Sequence, residues 1–253
     1  MVTMPRLLIS AILASSLLAP AVPAQDLSRF ERVLIPISVL KARGAYGSVW
    51  TTELWFRNNS DTGVVIFPQA TSDVVPSIRI THQLLVGVAP AERPGIFIFV
   101  DRSGIGNVQF QLRLFDESSP AASWGTIIPV VRESAFSDKP ITLINVPTSA
   151  DYRAALRIYG STTTPHGGTD VIVRVYADEI NRNLLATTTL HLGGSDGVIR
   201  PLYNQVLSLG DAFPLASTEK VRVELESTTT DVKLWAFVSV TSKTTQQVTV
   251  ITP

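Results

Sequence analysis

The chain has 253 residues with 21 basic and 21 acidic side chains, so it carries no formal net charge. It is 45% hydrophobic and 17% charged, where about a quarter charged is usual; this fits a folded protein and argues against a disordered one. The balanced charge gives no basic surface for the phosphate contacts of nucleic-acid binding or for an anionic membrane surface.

Residues 1–24 have the pattern of a cleaved secretory signal peptide. Arg6 supplies a positive charge, residues 7–18 are apolar, and Val22 and Ala24 place small side chains before a cleavage site. The apolar run is shorter than the ~20 residues of a membrane span, and two prolines end it. We therefore expect a secreted or periplasmic protein with no transmembrane segment in its mature chain.

The mature chain would contain no sulfur, because the sequence has no cysteine and both methionines, Met1 and Met4, lie in the signal peptide. Disulfides, thiolate nucleophiles and cysteine-bound metals are therefore excluded. An exported protein of this length without disulfides depends on its hydrophobic core for stability.

Alternation of apolar and polar residues predicts β-strands along the mature chain. It runs over residues 108–114, 152–159, 171–176 and 221–226. This period places one face of each strand on a core and the other toward water. Segments rich in Gly, Asn, Asp and Ser separate the runs, as at 58–63 and 193–197. With no amphipathic helix pattern, the sequence predicts an all-β protein, an antiparallel sandwich or closed barrel.

The spacing of the runs predicts two domains, with about seven strands before residue 137 and about seven after it. The two halves also end alike, since a tryptophan-led apolar run is followed by a polar stretch and a last apolar run, at 124–147 and 235–253. This weak internal repeat indicates duplication. The predicted organisation is a signal peptide (1–24), a first domain (25–139) and a second domain (140–253). Residues 141–146 could close the first domain or open the second.

This layout resembles the tandem immunoglobulin-like or fibronectin-III-like modules of secreted bacterial proteins. The resemblance covers nearly the whole mature chain and rests on length, pattern and strand spacing. It implies two antiparallel β-sandwich domains in tandem. The Cys…Trp…Cys core signature is absent because the chain has no cysteine. A fold that is reused this widely implies no particular function.

Two polar segments carry oxygen ligands of the kind that calcium prefers. The first contains Asp101, Ser103 and Asn107, and the second contains Asp178 and Glu179. The same residue types also build ordinary turns, and neither segment has the EF-hand pattern. We treat these residues as weak calcium candidates and otherwise expect no metal and no cofactor.

A catalytic constellation is not evident. Residues 193–197 match the G-x-S-x-G pattern of α/β-hydrolases, but in that family the histidine follows the serine, and the last histidine here is His191. An enzyme with loop-borne acidic residues remains an alternative. It would require Asp101 to meet His82 or His166 in one pocket.

Six side chains fall on strand faces that the alternation turns away from the core. They are Trp55, Arg57, Tyr159, Tyr176, Trp235 and Phe237. Large aromatic side chains in such places are candidates for a ligand or partner surface, or for a contact between domains. The alternatives are that Trp55 and Arg57 form a local stack, or that loops cover these rings.

The sequence therefore favours an exported, non-catalytic binding or scaffolding protein of the cell envelope or extracellular space, with a protein or polysaccharide partner. One variant binds carbohydrate through exposed aromatic side chains, with Trp55 and Trp235 as the first residues to test. A second is a periplasmic two-domain assembly chaperone that lends the strand 108–115 to an incomplete subunit. The strand-like end at 248–252 also predicts self-association by edge pairing.

Overall fold

The computed structural model describes most of the chain after the predicted signal peptide. The described residues are 27–44, 47–68, 73–75, 80–84, 95–118, 124–177, 183–193, 197–198, 200–203, 206–213 and 219–253. Residues 1–24 lie outside them. No helix in this described part is long and apolar enough to cross a membrane.

The described residues form nineteen β-strands, joined by turns and a few single helical turns. The strands are β1 (Phe30–Ile35), β2 (Ala42–Arg43), β3 (Val49–Asn58), β4 (Val64–Pro68), β5 (Asp73–Val75), β6 (Ile80–Leu84), β7 (Ile96–Asp101), β8 (Val108–Asp116), β9 (Thr126–Ile128), β10 (Val131–Arg132), β11 (Ile141–Pro147), β12 (Tyr152–Ser161), β13 (Thr169–Tyr176), β14 (Leu184–Leu192), β15 (Leu202–Tyr203), β16 (Leu207–Ser208), β17 (Lys220–Ser227), β18 (Lys233–Ser242) and β19 (Val248–Ile251). The helical turns are Leu27–Arg29, Ile105–Asn107, Glu133–Ala135 and Leu209–Ala212. The prediction of an all-β protein is confirmed.

The strands pair into four sheets, all antiparallel. Sheet A has the order β10-β1-β7-β4-β5, and sheet B has the order β2-β3-β8-β9, with β6 also on β3. Sheet C has the order β15-β12-β18-β19, with β16 also on β12, and sheet D has the order β11-β17-β13-β14. Sheets A and B thus contain strands that end by Arg132, and sheets C and D contain strands that begin at Ile141 or later. The segment that the sequence left open, 141–146, pairs with β17 and so belongs with the C-terminal strands.

Two buried apolar clusters lie against these sheets. The first contains Val33 and Ile98 from sheet A together with Leu54 and Leu112 from sheet B. The second joins sheets C and D; among its fully buried members are Leu143, Leu156, Val173, Val223 and Val238. In β8 and β13 the apolar positions of the period are buried or, at Phe110, half-buried, as strand periodicity requires. At the start of β12, Tyr152 is instead 43% exposed. The described part of the chain has no disulfide, so burial of these side chains provides the main stabilisation.

Sheet C is covered on both faces. Leu156 and Ile158 of β12 belong to the second cluster, whereas the next residue, Tyr159, belongs to the first cluster with Trp235 and Phe237 of β18. These three aromatic side chains are only 0%, 6% and 0% exposed. The alternation is therefore correct in placing them opposite the second core. The N-terminal half of the chain covers their face, so these side chains form a contact between the halves, one of the alternatives that the sequence left open, and are not an exposed surface.

Arg32 links the two halves through a buried guanidinium group. Its side chain is 8% exposed, and its Nη1 donates to the carbonyl oxygens of Thr162, Gly197 and Val198 at 2.7, 3.0 and 3.2 Å. Its Nη2 donates to Glu133 Oε1 at 2.6 Å. A charge out of water is stable only when it is paired and its hydrogen bonds are satisfied. The bonds of Arg32 meet both conditions and tie β1 to loops of the C-terminal half.

Candidate functional site

The outer face of sheet B is the main exposed surface with aromatic side chains. In β3, Leu54 and Phe56 point into the first core, so Trp55 and its neighbours on the same face point outward. The register of β3 with β8 sets Trp55 opposite Gln111 and Arg57 opposite Gln109. With the next outward pair, Glu53 and Arg113, this face carries one indole, two guanidinium groups, two amides and one carboxylate from β3 and β8.

These side chains line an open groove of about 690 Å³, which we call the sheet B groove. Its lining consists of Glu53, Trp55, Phe56, Arg57, Gln109, Phe110, Gln111, Arg113, Trp124 and Ile127. The mixture of apolar rings with amide and charged groups is typical of a surface that orients a polar ligand.

Trp124 is the most exposed aromatic side chain of the groove, at 75%. Arg113 holds it in place, because the guanidinium group lies 4.6 Å from the Trp124 ring and 4.5 Å from the Phe115 ring. Arg113 also donates from Nη1 to the Trp124 carbonyl oxygen at 3.3 Å and from Nη2 to Glu53. An exposed indole that is stacked on a paired guanidinium group forms a preorganised flat surface.

Gly125 allows Trp124 to take this position. Its φ of +94° is in the region that L side chains rarely adopt. A Cβ at residue 125 would also lie 2.5 Å from the Leu114 carbonyl oxygen and 2.8 Å from the Phe115 Cβ. The turn that carries Trp124 into β9 therefore requires glycine.

Trp55 and Arg57 have different environments within the groove. The Trp55 side chain is half-buried, and its Nε1 donates to Glu53 Oε2 at 3.4 Å. Arg57 is exposed, and among the described residues it forms no ion pair and no contact with an aromatic ring. The predicted alternative, a local stack of Trp55 with Arg57, is therefore not what the structure contains.

Tyr176 lies elsewhere, on the outer face of sheet D. The Arg222 guanidinium group covers its ring at 4.4 Å, and the neighbouring Arg174 and Glu226 form an ion pair of 2.7 Å. Tyr176 is thus part of a local cation–π contact away from the sheet B groove. Of the six predicted surface residues, the structure brings Trp55 and Arg57 together in the sheet B groove, and it brings Tyr159, Trp235 and Phe237 together in the first core.

The first calcium candidate segment is a turn whose polar atoms bind one another. Asp101 Oδ1 accepts from the Ser103 backbone N–H at 2.9 Å and from the Ser103 hydroxyl at 2.7 Å, and Arg29 binds Oδ2. The Ser103 bonds are the main reason that the pKa of Asp101 lies below its usual value, with Arg29 adding to the effect and burial opposing it. Asn107 is exposed at the end of the same loop. Asp178 and Glu179 lie outside the described residues, and calcium binding stays a prediction.

Among the described residues, one histidine pairs with a single carboxylate and another takes part in a turn. His191 Nδ1 lies 2.8 Å from Asp170 Oδ1 at an exposed position, and His166 Nδ1 accepts from the Gly168 N–H at 3.3 Å. The side chain of His82 and all of Ser195 lie outside the described part of the chain. Within that part, no group of three or more His, Cys, Asp or Glu side chains could hold a metal ion.

The strand suggested for donation to a partner, 108–115, lies inside sheet B. It pairs with β3 along its length and with β9 over Leu112–Leu114. Its backbone groups are thus already engaged over most of the strand, and lending it would break contacts within the first core.

Sequence reasoning missed Trp124 as a site residue. The available signal was a tryptophan next to a glycine, directly before a short strand, which indicates an aromatic side chain on a constrained turn. Alternation could not find it because residue 124 precedes β9.

The chain was compared with protein families, curated proteins and solved structures. No protein-family model matches the chain, and neither the curated proteins nor the solved structures include a significant match. The chemistry of the sheet B groove is therefore the basis for assigning a function.

Proposed function

We propose that this chain is an exported, non-catalytic binding protein that holds polysaccharide in the sheet B groove. The observation that carries the proposal is the pairing of two outward indoles, Trp55 and Trp124, with the amides of Gln109 and Gln111 on one sheet face. Sugar rings have apolar faces that stack on flat aromatic groups and hydroxyls that exchange hydrogen bonds with amides.

The rigidity of the groove supports binding over chemistry. The side chains stand on β3 and β8, which are paired over nine residues, and Trp124 is fixed by its stack on Arg113. A preorganised surface loses little conformational entropy when a ligand binds. Among the described residues, the groove contains one carboxylate, Glu53, and that carboxylate is paired with Arg113. A polysaccharide hydrolase would instead use two carboxylates that flank the scissile bond.

Arg57 gives the groove a preference among polysaccharides. Its guanidinium group is exposed and has no acidic partner among the described residues, so a carboxylate on the ligand would supply one. We therefore propose that chains containing uronic acids bind more tightly than neutral chains.

The architecture proposed with this function is a pair of β-sandwich domains in tandem, the first formed by sheets A and B and the second by sheets C and D. The separation of the ladders between the two halves and the presence of two apolar clusters support it. The predicted signal peptide supports a periplasmic or extracellular location for the mature chain.

The test is retention of the mature chain, residues 25–253, on immobilised polysaccharides in affinity electrophoresis. Trp55→Ala and Trp124→Ala should each weaken retention by tenfold or more, since burying a large apolar side chain contributes about 1.5–3 kcal/mol. The matched control is Ile144→Ala, which removes an exposed apolar side chain (47% exposed) from β11, outside the groove. Unchanged retention of both tryptophan variants would overturn the proposal, as would turnover of any polysaccharide by the wild type.

A further inference from the structure

A second cavity, of about 430 Å³, lies between the two halves of the chain and apart from the sheet B groove. The N-terminal half contributes Ile37, Arg43 and Trp50 to its wall, and the C-terminal half contributes β12 and β18. We call it the inter-half cleft. It is composed differently from the sheet B groove, because the described residues that line it include three arginines and no acidic side chain.

Arg153 and Arg157 reach the cleft because one face of sheet C lies against the N-terminal half, whereas Arg43 comes from β2. The register of β12 with β18 pairs Tyr159 with Trp235, Arg157 with Phe237 and Arg153 with Thr241. The aromatic end of this face is buried in the first core. The other end carries Arg153 and Arg157 and opens into the cleft.

Most guanidinium groups of the described chain are paired with carboxylates, but the three cleft arginines are not, and Arg57 of the sheet B groove shares this property. Seven other arginines of the described part lie within 4.0 Å of a carboxylate: Arg29, Arg32, Arg102, Arg113, Arg132, Arg174 and Arg222. In that same part of the chain, Arg43, Arg153 and Arg157 form no ion pair. Three unpaired positive charges around one cavity repel one another, and an anion in the cavity would relieve that repulsion.

One of the three is already oriented by its neighbours. Arg157 Nη1 donates to Ser239 Oγ at 2.7 Å, and its guanidinium group lies 5.6 Å from the centre of the Phe237 ring. These contacts hold the guanidinium group in one direction and leave it without an acceptor of opposite charge. The hydroxyls of Ser208 and Thr241 in the same wall add hydrogen-bond donors for oxygen atoms.

We propose that the inter-half cleft binds a small polyanion, a molecule that carries two or more carboxylate, sulfate or phosphate groups. Guanidinium groups bind the oxygens of all three in a bidentate manner, so the shared chemistry is the planar or tetrahedral oxyanion. Trp50 in the wall gives the bound molecule one apolar surface and provides a fluorescence signal.

The experiment is calorimetric titration of the mature chain with citrate, inorganic pyrophosphate and a disulfated disaccharide, each at 20 mM and 300 mM NaCl. We expect one-to-one binding of at least one probe, a change in tryptophan fluorescence that Trp50→Phe abolishes, and weaker binding in high salt. The probe that binds most tightly identifies the anion as carboxylate, phosphate or sulfate.

Arg43→Gln and Arg153→Gln remove exposed guanidinium groups from the cleft, and each should weaken binding by about tenfold. Arg157→Gln should weaken it further, but this variant also breaks the contact with Ser239, so the two exposed positions carry the test. The matched control is Arg102→Gln, which removes a 53% exposed arginine that lies outside both the inter-half cleft and the sheet B groove. No binding of any probe at 5 mM would overturn the proposal, as would an equal loss of affinity in Arg102→Gln.

Discussion

Replacement of Arg32 by methionine tests the link between the two halves. The change keeps an unbranched side chain but removes every polar bond of a guanidinium group that is 8% exposed. Three carbonyl oxygens each lose one hydrogen bond, and Glu133 loses its closest cation. Hydrogen bonds to a charged group contribute about 1.5–3 kcal/mol each, and removing one partner of a buried ion pair costs about 3–5 kcal/mol in all.

We therefore expect Arg32→Met to lower the free energy of unfolding by about 3–5 kcal/mol, measured by urea denaturation with tryptophan fluorescence at pH 7. The corresponding fall in Tm is roughly 10 °C for a chain of this size. The matched control is Arg102→Met, because Arg102 approaches the same carboxylate at 3.8 Å but is 53% exposed. It should cost about 0–1 kcal/mol. Equal losses in the two variants would refute the reasoning from burial.

The pH dependence of the same pair provides a second check. Burial opposes ionisation of Glu133, but the hydrogen bonds and charge of Arg32, with a further contribution from Arg102, outweigh it and keep the pKa below its ordinary value of 4.5. A carboxylate with a lowered pKa stabilises the fold above that value, and the contribution is lost as the pH falls through the pKa in the folded state. The difference between wild type and Arg32→Met should therefore shrink below about pH 4.5. A difference that is constant from pH 7 to pH 3 would contradict the role of Glu133.

Three further predictions concern single contacts. Tyr159→Phe leaves the Pro36 carbonyl oxygen without its donor and should cost about 1–3 kcal/mol at pH 7 in urea denaturation. Because burial raises the pKa of Tyr159, wild-type stability should fall as the pH rises above about 10, and this fall should be shallower in the variant. Gly125→Ala should displace Trp124 and weaken polysaccharide retention as strongly as Trp124→Ala does, while Gly106→Ala, where a Cβ would meet no atom within 4 Å, should leave retention unchanged. Ser103→Ala should cost about 1 kcal/mol at pH 7, and this cost should disappear as Asp101 becomes protonated below pH 3.8; a cost that persists at low pH would argue against the Asp101 bond.

Strands with one buried and one exposed face could be predicted from the sequence. In β8 and β13 the apolar residues alternate with polar ones because each strand contacts one core. Strands of two or three residues, such as β2 and β10, are too short for any period to be seen. This is why the structure has ten strands in the described residues before 137, where the sequence predicts about seven.

The surroundings of strands that are buried on both faces are harder to predict from the alternation of apolar and polar residues. Alternation correctly separates Trp235 from Ala236, but it does not say whether water or another part of the chain covers each side. In the same way, the polar positions Arg153 and Arg157 are visible in the sequence. Their lack of acidic partners depends on the register of β12 with β18 and on the position of sheet B. The periodicity of the sequence predicts neither of these.

The double covering of sheet C has a consequence for how this protein could evolve. Gene duplication and shuffling require a segment that keeps its solubility when it is moved to a new neighbour. The C-terminal strands alone would expose Tyr159, Trp235 and Phe237 as an apolar patch, which is a liability for aggregation. We expect the two halves to be inherited together, with substitutions at Pro36 constrained by Tyr159, which is more than a hundred positions away in the sequence.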